Sequence, residues 1–428
     1  MLKDAQGLEV STNSHEAVDA ISSFTNQALS YGKEALNVVK QGLVFDPTCA
    51  MLHAYAAAYF LSQENQQAKK QAVPHLRTAI KYSGNVTERE KLYIQAISAW
   101  ATKKIDVAIA LHETITDKYP RDLVSVQQGQ YHYFYLGDKQ RLLNIAQKVL
   151  PQNEDNHFLY GMLAFGLEQC HQLDQAEAMG RMATSYNRHD PWAHHAVAHV
   201  METQGRIDEG IAWMESLADT WVSCNSMLYT HNWWHIALYY IERGDYLHVL
   251  QLYDTHVWGR ARKDSPKDQV GAISLLLRLE LRGVDVSQYW QSLAVYLLPR
   301  LHEHALPFQD LHYVYALTRA GYTDWANEMR LSMHEHALSL SPNQRRQWLE
   351  VAIPAARGLV AYANGEYLNA FINLKPVLLR LHEIGGSHAQ RALFEQVYRS
   401  AMHRVRSGRD AINRVLIMIH PRKSKVIF

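Results

Sequence analysis

One fixed step runs through the middle of this sequence. The segments Lys103–Ala108, Gly137–Leu142, His171–Ala176 and Gly205–Gly210 each begin at a turn-like position and reach a small or apolar residue in sixth place. Their first residues fall at 103, 137, 171 and 205, so the interval is the same each time. A constant period of this length belongs to chains built from repeated hairpins, where each unit buries its apolar face only against the next. The 428 residues therefore need not divide into several globular domains.

The pattern inside each period names the hairpin. Small residues recur where two helices must approach closely, as at Ala164 and Ala198, which stand one period apart. Helix-starting turns separate the units at Phe45-Asp46-Pro47, at Tyr119–Asp122 and at His189-Asp190-Pro191, with Pro near the first helical position. Alternating β-branched runs are few, and no Asn-Gly or Asp-Gly hairpin turn occurs. A period of about 34 residues is that of the tetratricopeptide repeat. The expected fold is thus all-α: a tetratricopeptide-repeat-like superhelix, right-handed, of six or seven hairpins whose first helices line a concave face. It is read as a single helical-repeat domain over residues 1–428, with regular repeats at about 90–215, divergent ones over 216–400 and a tail at 401–428. Gly244 falls beyond position 239, where the period places the turn after Gly205, which implies about five inserted residues around Ala218 to Met227. Ala320-Gly321-Tyr322 and Asn364–Tyr367 mark later turns. Residues 1–15, the loop Arg260–Asp268 and the tail after Pro421 are expected to be frayed or separately packed.

Charge excludes two classes of partner. With 43 basic and 42 acidic residues the formal net charge is +1, and Arg422, Lys423 and Lys425 form the one basic cluster. Neither nucleic acid nor an anionic membrane surface suits such a chain. No apolar run reaches the roughly 18–20 residues of a membrane span, and the stretch Met1–Gln6 lacks the apolar character of a signal peptide, so a cytoplasmic location is expected. Cys49, Cys170 and Cys224 show no Cys-x-x-Cys spacing, which argues against a disulfide framework and a thiolate zinc site. A homodimer is compatible with these features.

Histidine is the unusual component: 24 residues, unevenly spread. His195 and His199 share one face of a first helix, with Glu202 beside them, and His231 and His235 repeat that spacing on the next first helix. One period before His195 and His199 stand Gly161 and Phe165, so the repeat itself does not demand imidazoles. Asp254-Thr255-His256 and Asp310-Leu311-His312 add two Asp-x-His pairs in which a carboxylate can orient a neighbouring ring. Trp192, Trp213, Trp221, Trp233, Trp234 and Trp258 can wall a polar centre.

Two chemistries fit this set. Four imidazoles with Glu202, Asp254 or Asp310 form a ligand set acceptable to zinc or iron. Without metal, one imidazole can serve as base and another as acid, held by Asp254 or Asp310. The His-Glu-x-x-His spacing, a nucleophile elbow, a phosphate loop and a dinucleotide fingerprint are all absent. A lone helical histidine is ordinarily a satisfied core residue, and the cluster has that structural reading as well. His302-Glu303-His304 and His334-Glu335-His336 alternate around a helix and are expected to be solvated, while His194 points about 100° away from His195.

These residues resemble a known family. Asp190-Pro191-Trp192 through His199 and Glu202, His231–Tyr239 leading into Ile241–Tyr246, Tyr253–His256, Asp310-Leu311-His312 and Ile384–Arg391 are similar to motifs of the tetratricopeptide repeat protein 38 family and its bacterial relatives. His388 stands where that pattern has Asn, and the far C-terminus departs from it. The resemblance covers about residues 20–400. It implies the helical-repeat fold and no particular activity, and it singles out His195, His199, His231, His235, Asp254, His256, Asp310 and His312 as motif positions. These eight are the candidate catalytic residues. Glu202, Asn232, Trp192, Trp234 and Arg391 are candidate ligand contacts, Arg391 as an anion clamp in the first turn of a helix. The expected function is binding of a small molecule, with hydrolase- or lyase-type acid–base or metal-assisted chemistry. The alternative is a scaffold that binds a peptide or protein.

Overall fold

The computed structural model describes residues 2–419, with side chains as far as residue 408; the C-terminal basic cluster and the rest of the tail after Pro421 lie outside the described residues. Every position picked out by the repeating step turns the chain through the left-handed region: φ is 62° at Lys103, 70° at Gly137, 63° at His171 and 70° at Gly205. Glycine enters that region without steric cost, whereas Lys103 and His171 do so against a penalty of roughly 1–2 kcal/mol each. Each turn ends a first helix and reverses the chain into a second. Those second helices begin at Ile105, Lys139, Leu173 and Ile207, which repeat the same interval. Many starts are capped: Asp122, Asp190 and Asn225 each accept a hydrogen bond from the backbone N–H three residues on, a contact worth about 1 kcal/mol.

The result is an all-α chain of tetratricopeptide-like hairpins, with 22 α-helices among the described residues. Seven hairpins precede residue 253, from His15–Leu29 with Ala35–Phe45 to Ser226–Arg243 with Tyr246–Leu252. The expected total of six or seven is therefore too low. The first two hairpins escape a search for Gly because Tyr31 and Glu64, at φ 54° and 57°, take the turn position. Close approach relies on small residues: Ala164 and Ala198 are fully buried, and a Cβ on Gly210 would lie 2.3 Å from the Tyr239 ring.

The chain forms two compact units, one running to Leu276 and including Gly385–Ala389, the other comprising Leu277–Ile384 and the chain from Gln390. The first unit departs from nearest-neighbour stacking. The expected insertion forms a 3₁₀ helix at Ala218–Ser223, which leads into a bridge between Gly32 and Cys224. Asn225 N–H donates to Tyr31 O at 2.7 Å. Lys267 Nζ reaches Glu64 at 3.0 Å and Ser62 O at 3.1 Å, and the hydroxyls of Tyr131 and Tyr135 donate to the same Glu64. Contacts between residues far apart in sequence thus draw the array together.

Two segments expected to be loose are tied down. Leu2–Lys3 pairs antiparallel with Glu9–Val10, and the Ser11 hydroxyl donates to Glu90 and that of Thr12 to Asp46. In the 260–268 loop, Asp268 is buried and accepts from Arg262 N and Ser226 Oγ. Polar side chains that read as solvated in sequence are satisfied here by partners distant in sequence. No helix among the described residues is long and apolar enough to cross a membrane, and the three cysteines are free thiols.

A candidate metal centre of four histidines

The helices Pro191–Gln204 and Ser226–Arg243 are the first helices of successive hairpins. Their i, i+4 histidines lie on facing stripes. His195, His199, His231 and His235 each offer one ring nitrogen, and the four nitrogens all lie within 4.8 Å of one another. His195 Nε2 is 3.0 Å from His199 Nε2 and 3.1 Å from His231 Nε2. His195, His199 and His235 are buried and His231 partly so.

The surroundings orient these rings. His235 Nδ1 faces Glu202 at 3.2 Å, and His199 Nδ1 lies 3.9 Å from the buried Glu168, which also accepts from Gln169 Nε2 at 2.5 Å. A carboxylate at hydrogen-bond distance from Nδ1, as Glu202 is from His235, fixes the tautomer whose Nε2 carries the lone pair, the arrangement around metal-ligating histidines. His195 Nδ1 has no hydrogen-bond partner among the described residues, so its polar contacts are made through Nε2. Trp192 stacks on His195 at 4.6 Å, and Trp234 on His231 at 5.1 Å. Burial, followed by the neighbouring rings, holds His195, His199 and His231 well below the usual imidazole range. Neutral rings are what a metal ion requires.

The other candidates fall in different places. Glu202, Trp192 and Trp234 adjoin the cluster, and Trp234 Nε1 donates to Ser274. Asn232 is fully buried and donates to Pro191 O at 3.3 Å. Asp254 is exposed. His256 stacks on Trp233 at 3.7 Å and its Nδ1 meets the Tyr229 hydroxyl at 2.8 Å, so its ring is not one of the converging four. His194 accepts from Trp221 Nε1 and is likewise separate. Asp310, His312 and Arg391 belong to the second unit. There Asp310 pairs with His304, not His312, whose Nδ1 instead meets Phe308 O. His304 is buried, contrary to the expectation of a solvated triplet, because it lies in a turn before the Pro307–Arg319 helix and not on a helix face. Arg391 stands, partly buried, in the first turn of the His388–Ile419 helix.

Sequence reasoning missed Glu168, and it picked out the Ile384–Arg391 motif without placing His388 beside that residue. Glu168 stands one period before Glu202, so the repeat register carried the signal. His388 Nε2 contacts Gln169 O at 3.2 Å, which brings this late segment beside Glu168.

The fold and the cluster together define a helical-repeat protein with a buried four-imidazole group able to hold a metal ion. No family model matches the chain. Among solved structures it is similar to Naa15/Naa10 bound to HypK-THB, at 12% identity and a TM-score of 0.26 over 92% of this chain, which spans 64% of that one. It is also similar to the P58(IPK) TPR domain, at 11% identity and a TM-score of 0.22, over 74% of this chain and 99% of that one.

Proposed function

We propose that the four imidazoles hold a zinc or iron ion, and that this ion acts on a small molecule inside the first unit. The observation that carries the reading is the approach of four ring nitrogens to within 4.8 Å at positions the repeat leaves to Gly161 and Phe165. Spacings of 3.0 and 3.1 Å suit ligands about 2.0–2.1 Å from a shared ion and roughly at right angles. His195, His199, His231 and His235 would hold the ion, which would supply Lewis-acid chemistry toward a carbonyl or water there. Glu202, backing His235, supplies a proton acceptor, and Trp192, Trp234 and Phe165 supply apolar walls; hydrolytic or lyase-type chemistry follows. The motif residues involved are those shared with the tetratricopeptide repeat protein 38 family, to which this reading assigns the chain. A peptide groove would offer exposed side chains, whereas His195, His199, Asn232 and His235 are at most 2% exposed; the balance favours a small ligand.

Elemental analysis of untagged protein tests the metal. About one equivalent of zinc or iron is expected, falling to background in His199→Ala and His235→Ala with helix content unchanged by circular dichroism. Wild-type protein that takes up neither ion, even after incubation with each, would refute the proposal.

A further inference from the structure

In the second unit, two histidine–carboxylate pairs meet on a single hydroxyl. His304 Nδ1 lies 2.6 Å from Asp310 Oδ2, and its Nε2 lies 2.7 Å from Ser332 Oγ. On the other side, His302 Nδ1 lies 2.8 Å from the same Oγ, and its Nε2 lies 2.8 Å from Glu328 Oε1. Asp310 sits in the first turn of the Pro307–Arg319 helix, and Ser332 and Glu328 lie one turn apart on Thr323–Ser339. His302 and His304 come from the turn that precedes Pro307.

Burial is graded along this chain of groups. Asp310 and His304 are buried, Ser332 is half-buried, and His302 and Glu328 are exposed. His304 adopts φ 45°, a left-handed conformation that a side chain with a Cβ rarely takes, and Trp348 and His336 pack around its ring. An imidazole that gives Nδ1–H to a carboxylate presents a lone pair at Nε2, and here that lone pair faces a hydroxyl within reach of solvent. Nucleophile, base and orienting group are at hydrogen-bond distances in the order that acyl transfer uses. This hydroxyl lies between two rings, each backed by its own carboxylate.

We propose that Ser332 is a nucleophile for acyl transfer from carboxylic esters, with His304 as its general base and Asp310 as the positioning residue that fixes His304. Ser332 Oγ bonds to the ester carbonyl carbon as its proton passes to His304 Nε2. The carbon–oxygen bond to the leaving alcohol breaks, and that oxygen takes the proton from His304. Water then adds to the acyl-Ser332 carbonyl and gives a proton to His304. The bond to Oγ breaks, Oγ recovers the proton, and a carboxylic acid leaves. His302 faces the same hydroxyl, its Nδ1 2.8 Å from Oγ, and holds it in place without taking part in the proton transfer. This site is independent of the four-imidazole cluster, and its test does not depend on metal.

The full-length protein would be treated with a fluorophosphonate probe and, separately, with p-nitrophenyl acetate, and the modified residue located by peptide mass mapping. Labelling at Ser332 is expected in the folded protein and absent in Ser332→Ala. His304→Ala should slow it by roughly a hundredfold or more. Asp310→Asn should slow the maximal labelling rate at an unchanged half-saturating probe concentration, a split that a loosened fold would not produce. Should His304→Ala unfold, His304→Asn serves in its place. Labelling of Ser332 no faster than in the urea-unfolded chain overturns the proposal, as does full reactivity in the folded His304 variant. Loss of labelling in His302→Ala alone, with the His304 variant unaffected, overturns the assignment of the base.

Discussion

His112 is wholly buried, and neither of its ring nitrogens has a hydrogen-bond partner among the described residues. Burial pushes it down to about 3, and does the same to His132, whose ring lies 5.9 Å away. In the unfolded chain both titrate near pH 6.5. Between about pH 6.5 and 3 the unfolded state therefore binds more protons than the folded one, and stability rises with pH across that window. The contribution is complete above pH 6.5 and falls on acidification by up to ~1.4 kcal/mol per pH unit for each group. Urea denaturation of the metal-free protein should show a lower midpoint at pH 5 than at pH 7.5. His112→Leu should flatten that dependence by about one proton without loss of stability at pH 7.5, since it removes an unsatisfied buried group. A fully buried imidazole with no hydrogen-bond partner is thus a liability in acid. The rings of His195, His199 and His231 share the burial, but each has its Nε2 within about 3 Å of another, and that difference marks the candidate site.

At the scale of elements, the turns give the clearest energetic test. Lys103 and His171 occupy left-handed positions that Gly137 and Gly205 hold freely. Lys103→Gly should raise stability by up to about 1 kcal/mol, and Gly205→Ala should lower it by about 1–2 kcal/mol, both read from thermal or urea midpoints. The phase of the repeat was legible because a hairpin turn needs one residue of this conformation per unit, and glycine marks most of them. Hairpins that turn at Tyr31 and Glu64 lack the mark and were undercounted. The facing histidines were legible for a similar reason: i, i+4 spacing on successive first helices puts side chains on one surface. Asp310 was paired with the wrong histidine because residues two apart on a helix point about 200° from each other. Its partner His304 lies in a turn, where helical periodicity says nothing about direction. The tethering of residues 1–15 and of 260–268 depends on Glu90, Asp46 and Ser226, partners that no local pattern reveals.

Across the whole molecule, an ion bound only by the folded state adds stability by mass action, about 2.7 kcal/mol at a hundred times its dissociation constant. That increment belongs to the elements that supply the ligands. Hydrogen exchange followed by mass spectrometry should show, on removal of metal with a chelator, faster exchange in Pro191–Gln204 and Ser226–Arg243, with Pro307–Arg319 unchanged. Uniform acceleration, or none, would separate the cluster from any metal-dependent stabilisation.

The order of the chain adds one consequence. Both histidine-bearing helices are complete by Arg243, whereas His388, which reaches Gln169, is translated later. A nascent chain on the ribosome thus has its four imidazoles before His388, which acts on His199, exists. An ion captured at that stage is expected to become trapped, exchanging far more slowly in the finished protein than its affinity alone would suggest.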